Sequence, residues 1–174
     1  MISKAKKASH FLCAVCIVLL CLSSCSSHTR SKSAREILTG LMEECDFIIP
    51  DGCIYEYGAE EGSEGFLSPS LISALYGEEA SDESLAYTDD YAIYLSGFAE
   101  PYEIAVFHCR AESDTDKLYA ICSERIDQLK VLLLQTSYAG FADTAQICIH
   151  GKYVIMISVG EQSRSISRKI PYAV

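Results

Sequence analysis

Glu103-Ile104-Ala105-Val106-Phe107-His108-Cys109 is followed, after a polar break, by Leu118, Ile121, Cys122, Ile126, Leu129, Leu132 and Leu133 at helical spacing. The first run is rich in strand formers and is bounded upstream by Pro101, so it reads as a strand. The second is an apolar stripe on a segment whose other side carries Lys117, Glu124, Asp127 and Lys130. It reads as a one-sided helix, through about residue 134, that must pack on something. Ser113, with Asp116 three residues on, has the form of a capping box at its start.

Working outward, Tyr91-Ala92-Ile93-Tyr94-Leu95 ends at Ser96-Gly97 and predicts a strand before the first run. Downstream, Ala145-Gln146-Ile147-Cys148-Ile149 and residues 153–159 are two β-rich runs separated by Gly151-Lys152, which suits a two-residue hairpin with glycine first. The order strand, strand, helix, strand, strand predicts an α+β fold: one domain over residues 34–174, with an antiparallel four-stranded sheet and helices packed on one face. Further upstream, Ser33-Ala34-Arg35-Glu36 has the Ser-x-x-Glu capping form, and Ile37, Leu38, Leu41, Met42 and Cys45 continue at helical spacing, so residues 33–46 read as a first helix. Ser68-Pro69 opens a short helix over residues 68–76 that Gly77 ends. Residues 53–57 alternate only weakly, residues 58–66 have loop composition, and the tail, residues 161–174, reads as a short helix or a frayed end.

The N-terminus speaks to location. Lys4, Lys6 and Lys7 precede an apolar run over residues 11–22, the order of an export signal. Those twelve residues would span about 18 Å as a helix, short of a hydrocarbon core of ~30 Å, so the run is a poor permanent span. Leu22-Ser23-Ser24-Cys25 resembles a bacterial lipobox, which implies diacylglyceryl transfer to the Cys25 thiol and cleavage before it. Residues 1–24 are then a lipoprotein signal peptide, and residues 25–33 a lipidated cysteine and polar tether. Acylated Cys25 would hold the domain at the lipid bilayer, stably once two or more chains are attached. Arg30 and Lys32 on the tether, and Arg35 just beyond it, either touch anionic headgroups or are simply solvated.

Maturation would leave eleven Lys or Arg against 24 Asp or Glu, a balance of −13. Phosphate binding needs a basic surface, so nucleic acid is not an expected partner. Residues 36–109 hold seventeen acids and no Lys or Arg, which suits a solvated face or a docking surface for a basic partner. Cys13, Cys16 and Cys21 leave with the signal, so Cys45, Cys53, Cys109, Cys122 and Cys148 remain, an odd number without repeated spacing. Cys45 and Cys53 either pair across a short loop or are small buried apolar residues.

Together, Ala74-Leu75-Tyr76-Gly77, residues 91–97, Glu103-Ile104-Ala105-Val106-Phe107 and Gly151-Lys152-Tyr153-Val154 behind a lipobox resemble a domain-of-unknown-function family of Firmicute lipoproteins, over most of residues 34–160. The resemblance implies a place on the extracytoplasmic face of a Gram-positive cell membrane and carries over no catalytic residue.

Two chemical constellations remain. His108 and Cys109 share one strand, and Cys148 and His150 lie two apart on another. Were these strands neighbours, the four side chains would approach metal-ligand or thiol–imidazole geometry, although the spacing matches no metal motif and the residues equally suit structural roles. Asp89-Asp90 and Glu78-Glu79 lack the form of a calcium loop, and no Gly-x-Ser-x-Gly elbow occurs. Tyr55, Tyr57, Tyr76, Tyr87, Tyr91, Tyr94 and Tyr102 either form a sugar- or peptide-binding surface or pack half-buried on the sheet. The expected function is therefore a membrane-anchored, non-enzymatic binding domain for an envelope protein or extracellular ligand, needing no cofactor. The alternative is a small envelope hydrolase or thiol enzyme using His108 or His150 with Cys109 or Cys148.

Overall fold

Glu103–Cys109 forms the central strand of a five-stranded antiparallel sheet. The structure is a computed structural model and describes residues 31–43, 51–77, 85–97 and 101–174. Cys25, the signal, Cys45 and Glu78-Glu79 lie outside the described residues. Lys32–Val174 is one compact unit.

The strands are β1 (Gly52–Glu56), β2 (Thr88–Ser96), β3 (Glu103–Cys109), β4 (Gln146–His150) and β5 (Tyr153–Ser158), in the order β1-β2-β3-β5-β4. The helices are α1 (Ala34–Glu43), α2 (Pro69–Tyr76), α3 (Thr115–Leu133), α4 (Ser163–Ser167) and α5 (Ile170–Ala173). The α+β class and the β4–β5 hairpin are as expected, but the strand count is five. β1 supplies the extra strand: it pairs with β2 alone, and most of its residues are half-buried, so its alternation in sequence is weak. Gly151, at φ 56°, turns β4 into β5, and His150 pairs with Tyr153 across that turn.

Helices cover both faces of the sheet, not one. On the first face, Ile37, Leu38 and Leu41 of α1 meet Ile104, Val106, Ile155 and Ile157, with Ile166 of α4 and Ile170 and Ala173 of α5 closing the layer. On the second, Ile72, Leu75 and Tyr76 of α2 and Leu118, Cys122 and Ile126 of α3 meet Ile93, Phe107, Val154 and Met156. The reason is in β3 and β5, whose apolar runs scarcely alternate: a strand apolar on both sides must be covered on both sides, at about 1.5–3 kcal/mol per large side chain buried. The tail, short of apolar spacing, is thus part of the core rather than frayed.

Local sequence signals decide where the helices start. Ser33 Oγ accepts from Glu36 N–H at 3.1 Å while Ser33 N–H donates to the Glu36 carboxylate at 2.7 Å, the reciprocal box expected for α1. Ser68 Oγ accepts from Leu71 N–H at 3.2 Å, ahead of Pro69. The Ser113 box does not form. A 3₁₀ turn over Glu112–Asp114 leads into α3, which has no side-chain cap, and Thr115 Oγ1 donates back to the Glu112 carbonyl at 2.8 Å.

The sheet has two distinct ends. Lys32 leads the chain in at the proximal end, where its carbonyl accepts from Tyr153 O–H at 2.5 Å and its ammonium donates to the Ala173 carbonyl at 2.6 Å. Glu103 and Ser158, paired in register, mark the distal end.

Candidate functional site

The four sequence candidates all lie at the proximal end or next to it. His108 pairs with Tyr153 on one side, and Tyr153 pairs with His150 on the other, so the three rings form one row across three strands with Tyr153 between the histidines. The His108 ring centroid lies 4.7 Å from that of Tyr153, and its Nδ1 is bonded to the Asp89 carboxylate. Cys109, the next residue, points to the opposite face and is fully buried. Cys148 shares a face with His108 but sits two strands and two residues away, about 12 Å between backbones at ordinary strand spacings. Its nearer imidazole is the exposed His150 on its own strand.

The thiols are not poised for chemistry. Burial, then the nearby Asp114 and Asp89, push Cys109 up to about 11, and burial raises Cys148 as well. A nucleophilic cysteine requires the opposite shift. The Cys53 thiol is free and donates to the Glu64 carbonyl at 3.1 Å. Among the described residues there is no group of three or more His, Cys, Asp or Glu that could hold a metal ion.

Beneath α3 at the distal end lies a charge network that the sequence did not flag. Arg125 Nη2 and Nε donate to Glu103 Oε2 at 2.8 and 3.0 Å, and Tyr76 O–H donates to Glu103 Oε1 at 3.1 Å. Glu103 is 2% exposed and Arg125 7%. Burial works against the Arg125 charge, but the Glu103 carboxylate outweighs it and holds the guanidinium up; burial and then Glu103 hold the Tyr76 hydroxyl well above its ordinary range. The Ser158 hydroxyl, across from Glu103, is buried with no hydrogen-bond partner among the described residues. With no opening to solvent at its centre, the network ties α2, α3 and β3 together rather than presenting a reactive group.

The open site is also distal. Tyr102, just before β3, stacks on Phe141 with centroids 5.3 Å apart at 15°, and Tyr138 meets Phe141 edge-on at 5.9 Å and 89°. These rings, with Gly160, Glu161 and Gln162 beyond β5, line a cleft of about 390 Å³. Backbone bonding fixes each wall. Tyr102 N–H donates to Ser96 Oγ at 2.9 Å, Thr144 Oγ1 to the Phe141 carbonyl at 2.9 Å, and Val159 N–H to the buried Ser163 Oγ at 3.0 Å. Gly160, at φ 65°, is where Phe141 comes to rest: a Cβ there would lie 2.7 Å from the ring. Such a cleft is preformed, and its volume falls within the ~300–1,000 Å³ of small-ligand sites.

Of the tyrosines that suggested a binding surface, Tyr76, Tyr91 and Tyr94 are core residues, Tyr57 is exposed elsewhere, and Tyr102 alone reaches this cleft. Tyr138, Phe141 and Glu161 were missed. The signal available was Tyr138-Ala139-Gly140-Phe141, two aromatics beside a glycine in a connection that a merely solvated loop has no reason to carry. A larger groove of about 650 Å³ lies between α2 and α3 beside Ala74, Val131 and Leu132, flanked by Glu124 and Asp127. No known family model matches this chain, and no curated protein or solved structure is similar to it.

Proposed function

We propose that the chain is a lipid-anchored extracytoplasmic domain that acts by binding, held at the bilayer by acylated Cys25 and offering its distal aromatic cleft to an envelope partner or extracellular ligand. The basic start, apolar run and lipobox carry the anchoring half of this reading, together with the resemblance to Firmicute lipoproteins of unknown activity. The observation that carries the binding half is polarity within the fold. Lys32, near the end of the tether, sits at one end of the sheet, and the cleft opens at the other, about 20 Å of strand away. Entry of the chain through Lys32 at one end leaves the other end of the domain to the cleft.

Crosslinking in intact cells, followed by capture from detergent-solubilised membranes, tests both halves. The wild type is expected to carry lipid label and recover a bound species, Cys25→Ala to lose the label, and Phe141→Ala to keep the label but lose the bound species. Undiminished labelling of Cys25→Ala would refute the anchor, and equal recovery by Phe141→Ala would refute the cleft.

A further inference from the structure

We infer that the distal cleft recognises an organic ammonium group, a deduction that rests on reading the cleft as the binding site. The chemistry of the walls selects for a cation. Three rings, Tyr102, Tyr138 and Phe141, present π faces and edges, and ring faces carry the negative part of the aromatic quadrupole. Because Tyr138 stands at 89° to Phe141, the two rings form a corner rather than a flat plate. A compact cation in that corner would meet two aromatic surfaces at once.

Among the described residues of the wall, Glu161 alone is charged, and no Lys, Arg or His lines it. Its carboxylate can pair with a cation held against the rings, whereas an anion would meet a negative charge and no positive one on the described wall. The remaining polar lining, Ser137, Thr144 and Gln162, supplies oxygen acceptors for N–H or O–H groups carried by the same ligand. A divalent metal is poorly matched, because one carboxylate does not make a coordination shell. The domain's field acts in the same direction: a balance of −13 after maturation raises the local concentration of cations and repels anions.

The deciding comparison is between choline and 3,3-dimethylbutan-1-ol, which has the same shape without the charge. Each is titrated at constant ionic strength into the mature full-length protein in non-ionic detergent. Tyrosine fluorescence is the readout, in a chain without tryptophan, and calorimetry is the check. Choline is expected to bind saturably and the neutral isostere at least fivefold more weakly. Glu161→Gln, on an exposed residue that need not disturb folding, is expected to weaken choline about threefold to tenfold while leaving the isostere unchanged. Butylammonium serves as a third probe: binding on a par with choline would extend the site to primary amines such as lysine side chains.

Equal binding of choline and the isostere, or a preference for a neutral saccharide such as chitobiose, would overturn the ammonium assignment while leaving the cleft as the binding site. A saturable choline response that survives Phe141→Ala in a protein with wild-type circular dichroism would overturn the location. No response to any probe would overturn the ammonium assignment, and recovery of a bound species from cells by wild type but not Phe141→Ala would still uphold the cleft.

Discussion

The two ends of this sheet are built by different rules. At the proximal end polar groups near the core are paired: Asp90 accepts from the first amide of α1 at 2.7 Å, Asp89 holds His108, and Tyr153 binds the Lys32 carbonyl. At the distal end an ion pair, Glu103 with Arg125, is buried under α3, and aromatic and aliphatic surface also faces outward. Val131, Leu132 and Leu134 are 75%, 66% and 70% exposed there. Apolar side chains are exposed nearer the proximal end as well, at Tyr57, Ile149 and Tyr172, so the two ends differ in how charge is handled: paired near the surface at one, buried under a helix at the other.

That contrast can be broken at its buried centre. Removing Arg125 leaves the Glu103 carboxylate uncompensated in the core, so Arg125→Ala is expected to cost about 3–5 kcal/mol in urea unfolding. Replacing both partners by apolar residues, Glu103→Leu with Arg125→Met, should recover most of the loss. A small effect of Arg125→Ala would mean that the distal end is wetter than its burial indicates.

The proximal end is sharpened by alkali. Cys109 is protonated in both folded and unfolded chains below about pH 9, where its contribution is constant. Between about 9 and 11 the unfolded chain loses the proton first, so stability falls as pH rises, by about 2–3 kcal/mol across that window. Cys109→Ala is expected to flatten the fall in unfolding free energy between pH 8.5 and 11, although the raised Cys122 and Tyr76 keep part of it. Identical slopes would show that Cys109 ionises freely in the folded protein.

The smallest effect is expected at the exposed distal turn of α3. Leu132→Ser should change stability by less than about 0.5 kcal/mol, because little of the side chain is withdrawn from water. A loss of more than about 1 kcal/mol would place that turn against something else in the chain.

The sheet was legible in sequence because its central strands and hairpin are short β-rich runs broken by glycine and proline, a local signal. Two features were misread for opposite reasons. The unalternating runs of β3 and β5 did announce cover on both faces, but the strand-and-helix order alone suggested one. The role of β1 has little signal of its own, since it comes from pairing with Leu95 and Tyr94 far along the chain. His108 and Cys109 illustrate the limit for site chemistry. Adjacency in sequence puts their side chains on opposite faces, and what each meets there is decided by residues remote from both. The cleft was least legible, because Tyr102, Phe141 and Glu161 come from three separate connections that only the closed fold assembles.

The bond from Tyr153 to the Lys32 carbonyl also has a mechanical meaning. Lys32 is the point through which any tension in the preceding chain must pass, and it is tied at once to β5 through Tyr153 and to the α5 backbone through Ala173. A tug from upstream is therefore shared between a core strand and the last helix before it reaches α1. Only after both ties part would the load fall on the Ser33–Glu36 box and the Asp90 contact, and start to peel α1 from the sheet.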